Sequence, residues 1–435
     1  MKGPSVAERV HLDFYKQVLR PDPSRTVVRP FELSYPSGFD GGTSRIQEIV
    51  DRIVTLKGEE LAHEFVGVTE SLDENHRDVD GMLMRRFDQI ADQIAGADRI
   101  DTEQRRLIGA YLSEEYAYEA AALFNPSIIL HRDQSDLPEG TVRFVLSLRG
   151  IGEGHVSSVT FRTGTWKPGG ELVIDEPSPV SMAPIIRKTE DDDDDTTVHV
   201  NFDSCRSISE MVLFPMVPSQ RQGIEDVRLV RFQEDDGSFT YHGTYTAFSG
   251  AAVRSELLTG VKFGSFDMRA LTGSAASGKG MALFPRKVGG QYAMLGRQDN
   301  ESIWLHLSDE VLHWDGGTKI ISPRYPWEFI QMGNCGSPIE IDEGWLVMTH
   351  GVGTVRNYCI GACLLDKDDP SKLLARTPRP VLAPSPHERD GYVPNVVYSC
   401  GALVEGRRML LPYAVADSFT AFATLSVDDL LGVME

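Results

Sequence analysis

Two adjacent carboxylates and a guanidinium are the residues of this chain best suited to chemistry. Glu225, Asp226 and Arg228 stand directly before the alternating apolar run Leu229–Phe232, and this placement predicts that they lie at the mouth of a strand. A carboxylic acid beside a guanidinium can act as an acid or a base, because the cation and the surrounding burial set its protonation state near neutral pH. The alternative is a surface ion pair at a strand end, which has no chemical role.

Composition limits the partners of this chain. The 435 residues carry a formal charge of −21, with 43 lysines and arginines against 64 acidic residues. Nucleic acids and acidic membrane surfaces would repel such a protein, so we exclude both as general partners. An anionic ligand must then be bound by a local cluster of cations. The length accommodates two or three domains, or one large β domain with an appendage.

The cysteines and the N-terminus favour a cytoplasmic location. The five cysteines are odd in number and lack the spacing of zinc ligands, which predicts reduced thiols and no metal site. Met1–Ser5 and the charged residues after them contain no apolar core of a signal peptide, and no later run approaches the length of a membrane span. We therefore expect a cytoplasmic protein that does not enter a membrane.

Residues 1–123 are predicted to form an N-terminal arm followed by an α-helical extension. The first 43 residues are weakly patterned, which is typical of an extended arm lying over a neighbouring surface. Apolar residues then recur at helical spacing, and Ser44 is placed to cap the first helix. Two more helices follow, the second of them over about 79–95, and a fourth begins after Asp101 and continues to residue 123.

After residue 124 the pattern changes to short strands separated by turns. Beyond residue 223 a loose repeat of strand, turn and strand recurs four times. Similar places in these units, about 50 to 63 positions apart, are held by Tyr245, Leu295, His350 and Tyr413. Such units are typical of a β-propeller, whereas a sandwich fits the period less well. With residues 125–215 as the first unit, we predict a mainly β fold, a five-bladed β-propeller catalytic domain over residues 124–435.

A propeller places its working groups around the central channel, so candidate residues should recur at equivalent places in successive units. They do recur, and many of them are basic although the protein as a whole is acidic. In chain order the candidates are Asn125, Arg149, Glu153, His155, Glu225, Asp226, Arg228, Tyr245, Lys279, Arg297, His350, Arg356, Tyr358, Tyr413 and Asp417.

Several separated motifs of the chain resemble glycoside hydrolase family 130, the β-mannoside phosphorylases and related β-mannosidases. Glu225–Arg228 resembles the family's Glu-Asp-Pro-Arg signature, with Val227 in place of the proline that stiffens the turn. Gly296–Gln298 stands where many members have His-Arg-Pro. The other matches follow in the family's order: Asn125-Pro126, the strand ending at Arg149, Thr244–Ala247, Lys279 with Leu283–Pro285, Leu307–Asp309 with His313-Trp314, Glu343–Trp345 with His350-Gly351, Leu364–Asp366 with Asp369-Pro370, and Ala416-Asp417.

The resemblance covers nearly all of residues 124–435 and implies a five-bladed propeller that cleaves a β-mannoside with inversion. In this family Asp226 would be the catalytic proton donor, acting through a hydroxyl group of the sugar. We expect substrate contacts from Asn125, Arg149, Glu153, Glu225, Tyr245 and Asp417, and phosphate contacts from Arg228, Lys279, Arg297, His350, Arg356 and Tyr358. The helical extension is similar to that of a longer-chain branch of the family.

The family contains two activities, which need different groups. An inverting hydrolase needs a second carboxylate roughly 6.5–9.5 Å from the acid to activate water, and Glu153, Glu340 and Glu343 are the candidates for this base. A phosphorylase needs no base, but it needs cations that hold a phosphate dianion on the far face of the sugar. The many basic groups at motif positions favour an inverting phosphorylase that forms α-D-mannose 1-phosphate; an inverting β-mannosidase is the alternative.

A non-catalytic propeller that binds a glycan or a protein partner is a third hypothesis, and it would not need Asp226 together with the cations. The phosphorylase hypothesis requires no metal or organic cofactor, because proton donation neutralises the charge on the leaving oxygen. Inorganic phosphate is then a co-substrate. The expected partners are a β-mannoside oligosaccharide and phosphate, and we also expect a homo-oligomer.

Overall fold

The computed structural model describes residues 9–31, 33, 43–73, 75–190, 196–385 and 391–435. The chain divides into two compact units. The first, here called the β unit, consists of Met1–Pro23, Tyr118–Pro177 and Pro184–Glu435. The second, here called the helical unit, consists of Ser24–Ala117 and Ser178–Ala183.

Strands dominate the described chain, as the sequence predicts. In chain order they are β1 (Asp13–Leu19), β2 (Thr26–Pro30), β3 (Ser113–Ala117), β4 (Ala122–Leu130), β5 (Val142–Ile151), β6 (Ser157–Trp166), β7 (Leu172–Ile174), β8 (Ile185–Glu190), β9 (Thr196–Asn201), β10 (Val212–Leu213), β11 (Gly223–Gln233), β12 (Phe239–Phe248), β13 (Val253–Lys262), β14 (Ser265–Ala270), β15 (Ala282–Leu283), β16 (Tyr292–Gly296), β17 (Ile303–Ser308), β18 (Thr318–Ile321), β19 (Gln331–Asn334), β20 (Ile339–Ile341), β21 (Gly344–Val352), β22 (Tyr358–Leu365), β23 (Leu373–Arg376), β24 (Val397–Tyr398), β25 (Leu403–Glu405), β26 (Arg408–Val415) and β27 (Phe419–Ser426). The protein is therefore mainly β.

The α-helices lie mostly in the helical unit. In chain order they are α1 (Arg45–Ile53), α2 (Glu59–Leu72), α3 (Val79–Ile90), α4 (Thr102–Tyr111) and α5 (Val427–Gly432), the last of which belongs to the β unit. The predicted cap is confirmed, because the Ser44 hydroxyl accepts a hydrogen bond from the Gln47 amide at 3.1 Å. None of the helices in the described ranges has the length and apolar character needed to cross a bilayer.

The sequence-based prediction of a fourth helix that continues to residue 123 is wrong. Helix α4 ends at Tyr111, and the next residues form β3, which pairs antiparallel with β2. Tyr116 is fully buried there, and the Arg29 guanidinium lies 3.7 Å from the centroid of its ring. Because β2 lies far away in the sequence, the local pattern gave no sign of the pairing that makes this segment extended.

Four sheets make up the described β unit. One sheet contains β4, β5, β6, β11, β12, β13, β14, β9 and β8 in that order, with β7 and β10 on β6. The others are β15 to β18 in order, β19-β21-β22-β23 with β20 on β21, and β1-β27-β26-β24 with β25 on β26. The predicted strand pairs beyond residue 223 are thus confirmed. The predicted arm is divided, because β1 belongs to the last of these sheets and β2 to the helical unit.

A parallel bridge between Gly223 and Ser157 joins β11 to β6. Gly223 has a φ of +149°, and a Cβ atom there would lie 2.5 Å from the Cβ atom of Ser157. Only glycine therefore allows this approach. The bridge fixes the start of β11 against Ser157 at the start of β6. Both of these strand ends carry or adjoin residues of the site described next.

Candidate active site

Asp226 and Asn125 meet because the strands that carry them are both interrupted at these residues. The register of β11 on β12 shifts around Asp226, and that of β4 on β5 shifts around Asn125. Both residues have left-handed backbones, with φ of +55° and +47°, which aspartate and asparagine adopt more readily than most residues. The Asn125 amide nitrogen donates a hydrogen bond of 2.7 Å to Oδ1 of Asp226. The two bulges thus aim one amide at one carboxylate.

One guanidinium holds both acidic residues of the motif. Arg149 donates from Nη1 to Oδ1 of Asp226 at 3.2 Å and from Nη2 to Oε1 of Glu225 at 2.7 Å. Its Nε donates to the hydroxyl of Ser157 at 2.9 Å. The second oxygen of Glu225 accepts from Nζ of Lys279 at 2.9 Å. This network fixes the orientation of the carboxylates and makes Arg149 a positioning residue.

Asp226 lines a narrow, partly enclosed pocket. The other lining residues are mostly basic or polar: Arg228, Thr246, Lys279, Gly280, Arg297, Gly333, Asn334, His350 and Tyr398. Arg228 donates to the Tyr398 hydroxyl at 2.8 Å, and Nη1 of Arg297 lies 3.2 Å from Nε2 of His350. The carboxylate therefore shares one pocket with three basic side chains, Arg228, Lys279 and Arg297.

Asp226 is ionised at neutral pH in the protein alone. Burial would raise the pKa of this carboxyl, but the Arg149 guanidinium, the hydrogen bond from Asn125 and the charges of Arg228 and Lys279 lower it below the ordinary aspartate value. The cations outweigh the burial. Any role as a proton donor thus requires a change in the surroundings of the carboxylate.

His350 is neutral. Burial, together with the charges of Arg297 and Arg228, lowers the pKa of its imidazole well below the ordinary value. Since Arg297 can only donate, Nε2 of His350 accepts the hydrogen bond and the ring proton resides on Nδ1. The ring stacks on Tyr358 with centroids 6.2 Å apart and an interplanar angle of 14°, and it meets Tyr398 edge-on at 5.1 Å. These contacts fix the imidazole rigidly at the pocket.

A second carboxyl, that of Asp417, interacts electrostatically with Asp226. Burial and the negative charge of Asp226 raise the pKa of Asp417 to about 6, against the opposing effect of Arg149 and Arg356. Asp417 also has a left-handed backbone, with φ of +51°. Its charge therefore changes in the range where Asp226 is already ionised.

Several buried polar atoms around the pocket have no hydrogen-bond partner within the described residues. They are Oδ1 of Asn125, Nε of Arg228, Nε of Arg297, Oδ1 of Asn334 and Nδ1 of His350. Buried polar atoms are nearly always satisfied in folded proteins. The mixture of donors and acceptors suits a ligand rich in oxygen, which both a sugar and an oxyanion are.

Most of the predicted site residues converge. Five line the pocket, and three more are hydrogen-bonded to them: Asp226, Arg228, Lys279, Arg297 and His350 in the first group, and Asn125, Arg149 and Glu225 in the second. Tyr358 contacts the site through its stack on His350. Arg356 is exposed in the turn before β22; its guanidinium lies 5.7 Å from the Tyr358 ring, and its charge acts on Asp417.

Two predicted substrate contacts lie elsewhere in the described chain. Tyr245 is only 3% exposed and donates its hydroxyl proton to Glu256 at 2.6 Å, also accepting from Gln220. Because side chains alternate along β12, its neighbour Thr246 lines the pocket instead. Glu153 is exposed in a turn after β5 and does not line the pocket. We therefore correct the assignment of Tyr245, while the substrate contact of Glu153 stays a prediction.

The sequence reasoning missed Tyr398, Asn334 and Thr246, which all line the pocket. Tyr398 and Asn334 are the last residues of β24 and β19. A signal for Thr246 was present, because it belongs to the quoted motif Thr244–Ala247 and alternates with Tyr245. Neither Tyr398 nor Asn334 stands in a motif that the sequence makes recognisable.

The site and the fold together define a class of protein. A carboxylate that can exchange a proton faces cations across one pocket on a mainly β scaffold, which is the arrangement of an acid-assisted group-transfer enzyme. In the part of the chain that the structure describes, no group of three or more His, Cys, Asp or Glu residues could hold a metal ion.

Comparison with known proteins identifies the family. A family model described as β-1,4-mannooligosaccharide phosphorylase matches residues 198–435. A 1,2-β-oligomannan phosphorylase of Thermoanaerobacter sp. is 34% identical over 214 residues, which are 48% of this chain and 70% of the relative. A β-1,2-mannobiose phosphorylase of Listeria innocua is 32% identical over 232 residues, which are 51% of this chain and 63% of the relative. The chain belongs to glycoside hydrolase family 130.

A solved structure shares the fold. The β-1,2-mannobiose phosphorylase from Listeria innocua, in complex with β-1,2-mannobiose, superposes with a TM-score of 0.53 at 22% sequence identity. The superposition covers 73% of this chain and 92% of that chain. The mainly β architecture is thus that of the family.

Proposed function

We propose that this protein is an inverting phosphorylase that cleaves β-mannosides of the manno-oligosaccharide class with inorganic phosphate and releases α-D-mannose 1-phosphate. One observation carries the proposal: the carboxylate of Asp226 shares a pocket with Arg228, Lys279 and Arg297. A proton donor and a set of cations for an oxyanion are the two components that phosphorolysis needs. The phosphorylases among the relatives support the same reaction.

The residues divide into two roles. Asp226 donates a proton to the leaving glycosidic oxygen through a hydroxyl group of the sugar, while Asn125 and Arg149 fix its orientation. The cations hold phosphate on the opposite face of the sugar, and a phosphate oxygen attacks the anomeric carbon as the glycosidic bond breaks. Attack from the far face converts the β-glycoside into an α-phosphate. The site needs no general base, because phosphate is already a nucleophile.

The positions of the candidate bases favour phosphorolysis over hydrolysis. Glu340 accepts two hydrogen bonds from Arg286, at 2.8 and 2.9 Å, and lines a different cavity. Glu343 is paired with Arg407 at 2.8 Å. Both glutamates are thus engaged away from the pocket, and Glu153 is exposed in its turn. Neither Glu340 nor Glu343 is therefore placed to activate water opposite Asp226, and Glu153 does not line the pocket.

The order in which segments of the chain line two cavities supports a five-bladed propeller. Four segments line the catalytic pocket and a fifth, at Asn125, is hydrogen-bonded to Asp226; each of the five lines a second cavity a few residues later. They are Asn125 then Ile128–Leu130, Asp226 and Arg228 then Leu229–Arg231, Lys279 and Gly280 then Pro285 and Arg286, Gly333 and Asn334 then Ser337–Glu340, and Tyr398 then Gly401–Val404. Five inner strands running in one direction along a central channel would give this order.

We propose residues 124–435 as the catalytic propeller domain, with β1 as an additional strand of its last blade because β1 pairs with β27. The rest of residues 1–123 would form the arm and helical extension. A homo-oligomer remains a prediction from the sequence. Size-exclusion chromatography with light scattering would test it, and a monomeric mass would contradict it.

The proposed reaction is tested by incubating the protein with β-1,2-mannobiose or β-1,4-mannobiose, with and without inorganic phosphate. We expect α-D-mannose 1-phosphate to form only when phosphate is present. Product analysis by proton and phosphorus NMR would identify the anomer. Free mannose formed equally fast without phosphate would replace the phosphorylase with a mannosidase, and no turnover of either sugar would remove β-mannobioses from the substrates.

Substitution of Gly333 by alanine is expected to weaken phosphate binding while the protein stays folded. A Cβ atom at this position would lie 2.6 Å from Cε1 of His350, so the imidazole must shift from its place beside Tyr358 and Tyr398. We expect the KM for phosphate to rise at least about fivefold, the cost of one displaced hydrogen-bonding group. Gly432→Ala is the matched control, since its Cβ atom would meet nothing within 4 Å. An unchanged phosphate KM would place His350 outside the phosphate site.

A further inference from the structure

The donor carboxylate and the anion-binding cations of this site are not independent. Arg228 and Lys279 line the pocket, and their charges act directly on Asp226. Two of the cations proposed to hold phosphate, Arg228 and Lys279, therefore also stabilise the ionised form of the proposed proton donor, in addition to Arg149 and Asn125. An ionised carboxylate has no proton to give, so the proton must arrive before the glycosidic bond can break.

We propose that phosphate binding itself loads Asp226 with its proton, an inference that rests on the proposed phosphorylase function. The anion accepts the charges of Arg228, Lys279 and Arg297. The Asp226 carboxylate then loses the stabilisation that Arg228 and Lys279 give it and shares the pocket with a second anion, and it takes up one proton from solvent. Phosphate thereby acts both as nucleophile and as the trigger that makes the acid competent.

The groups around Asp226 differ in how freely phosphate can engage them. Arg149 stays engaged, because its side chain is only 18% exposed and is hydrogen-bonded to Glu225 as well as to Asp226. Lys279 has a side chain that is 41% exposed and can turn toward an anion. The Nε of Arg228 lacks a partner within the described residues. Phosphate therefore has donors to engage without breaking the clamp that orients the carboxylate.

Other titratable groups face the same carboxylate. Glu225 is held by Arg149 and Lys279. Asp417 repels Asp226, and burial raises the pKa values of Tyr398 and Cys400, which leaves both of these groups neutral. Among these groups Asp417 is the competing acceptor for a proton, since burial and the charge of Asp226 raise its pKa to about 6. An experiment must therefore separate Asp226 from Asp417.

The proposed reaction consumes no net proton. Asp226 takes one proton from solvent when phosphate binds as HPO₄²⁻ and passes it, through the sugar hydroxyl, to the leaving oxygen. The bond from the anomeric carbon to this oxygen breaks as the bond to a phosphate oxygen forms. The hydrogen phosphate gives up its own proton when it leaves as the dianionic ester. Asp226 returns to the ionised state, and no net proton is consumed.

This coupling would also suppress hydrolysis. A β-mannoside bound without phosphate meets an ionised donor, and Glu340 and Glu343 are paired elsewhere. Neither of these glutamates then activates water, and no acid assists the leaving group. The phosphate requirement would follow from the protonation state of Asp226 as well as from the nucleophile.

Isothermal titration of inorganic phosphate into the protein near pH 7.5, in buffers that differ in ionisation enthalpy, measures the protons taken up on binding. We expect the wild type to take up about one proton per phosphate more than Asp226→Asn. Protons exchanged by phosphate itself contribute equally to both proteins and cancel in the difference. Asp417→Asn, the matched control, should keep the difference.

Equal proton uptake by the wild type and Asp226→Asn would overturn the inference while leaving phosphate binding intact. Loss of the extra proton in Asp417→Asn instead would assign it to Asp417 and would equally overturn the inference. Failure of phosphate to bind the wild type would overturn the proposed function. Infrared difference spectroscopy of the wild type, which needs no variant, should show a protonated carboxyl band appearing on addition of phosphate, and its absence would contradict the loading.

Discussion

Replacement of Asp226 by asparagine should lower kcat for phosphate-dependent cleavage of a β-mannobiose by about 10²–10⁴-fold, the usual contribution of a positioned general acid. Asparagine has nearly the same shape, and its side-chain oxygen can still accept the 2.7 Å hydrogen bond from Asn125. The variant loses the proton donor while it keeps the contact that shapes the site. Steady-state kinetics at saturating phosphate, with circular dichroism to confirm folding, is the measurement.

Asp309→Asn is a suitable control for this variant. Asp309 accepts a hydrogen bond from Gln291 at 3.0 Å in an exposed hairpin and does not line the pocket. Its kinetics should equal those of the wild type. If Asp226→Asn retained more than about a tenth of the wild-type kcat, another group would be the proton donor. The role of Asp417 would then have to be examined first, because its carboxyl is the other one that acts on this site.

Replacement of Lys279 by methionine should raise the KM for phosphate by roughly 10- to 100-fold, with a smaller effect on the KM for the mannoside. A hydrogen bond to a charged group contributes about 1.5–3 kcal/mol, and 1.4 kcal/mol corresponds to a factor of ten. Methionine keeps most of the apolar stem of lysine but removes the charge. Because the side chain is 41% exposed, the substitution should leave the fold intact.

Lys319→Met provides a closely matched comparison. Its side chain is 45% exposed and forms an ion pair of 2.9 Å with Asp299, the same length as the pair between Lys279 and Glu225. It does not line the pocket, so its phosphate KM should not change. If both variants behaved alike, the charge of Lys279 would be structural and the phosphate set would have to be reduced to the arginines and His350.

The two variants separate the functions of one pocket. Asp226→Asn should act on kcat, and Lys279→Met should act on the phosphate KM. A hydrolase with the same fold would respond to the first substitution and not to the second. A non-catalytic glycan-binding protein would show neither effect. The pair of measurements therefore decides among the three hypotheses that the sequence left open.

The sequence by itself determined the chemical type of the site. Glu225, Asp226 and Arg228 precede an apolar alternating run, and this local pattern was enough to place them on a strand and to suggest acid chemistry. The basic residues of later units were likewise found from their motifs. Each of these patterns and motifs lies within one short segment of the chain. The assignments therefore did not require knowledge of how distant segments pack.

Only the tertiary structure decided which groups face Asp226 and in what state they hold it. The partners Asn125 and Arg149 come from segments 101 and 77 residues away, and Tyr398 from the far end of the chain. The alternation of side chains along β12 turned Tyr245 into the core and Thr246 into the pocket. Bulges and long-range strand pairing create these juxtapositions, and neither has a local signature.

The ionisation state of Asp226 was likewise decided only by the tertiary structure. Its pKa is the sum of burial, which raises it, and charges gathered from separate strands, which lower it. Each contribution depends on distances that no single segment of the sequence contains. The sequence thus named the acid, and the packing of distant strands decided that it is ionised in the protein alone.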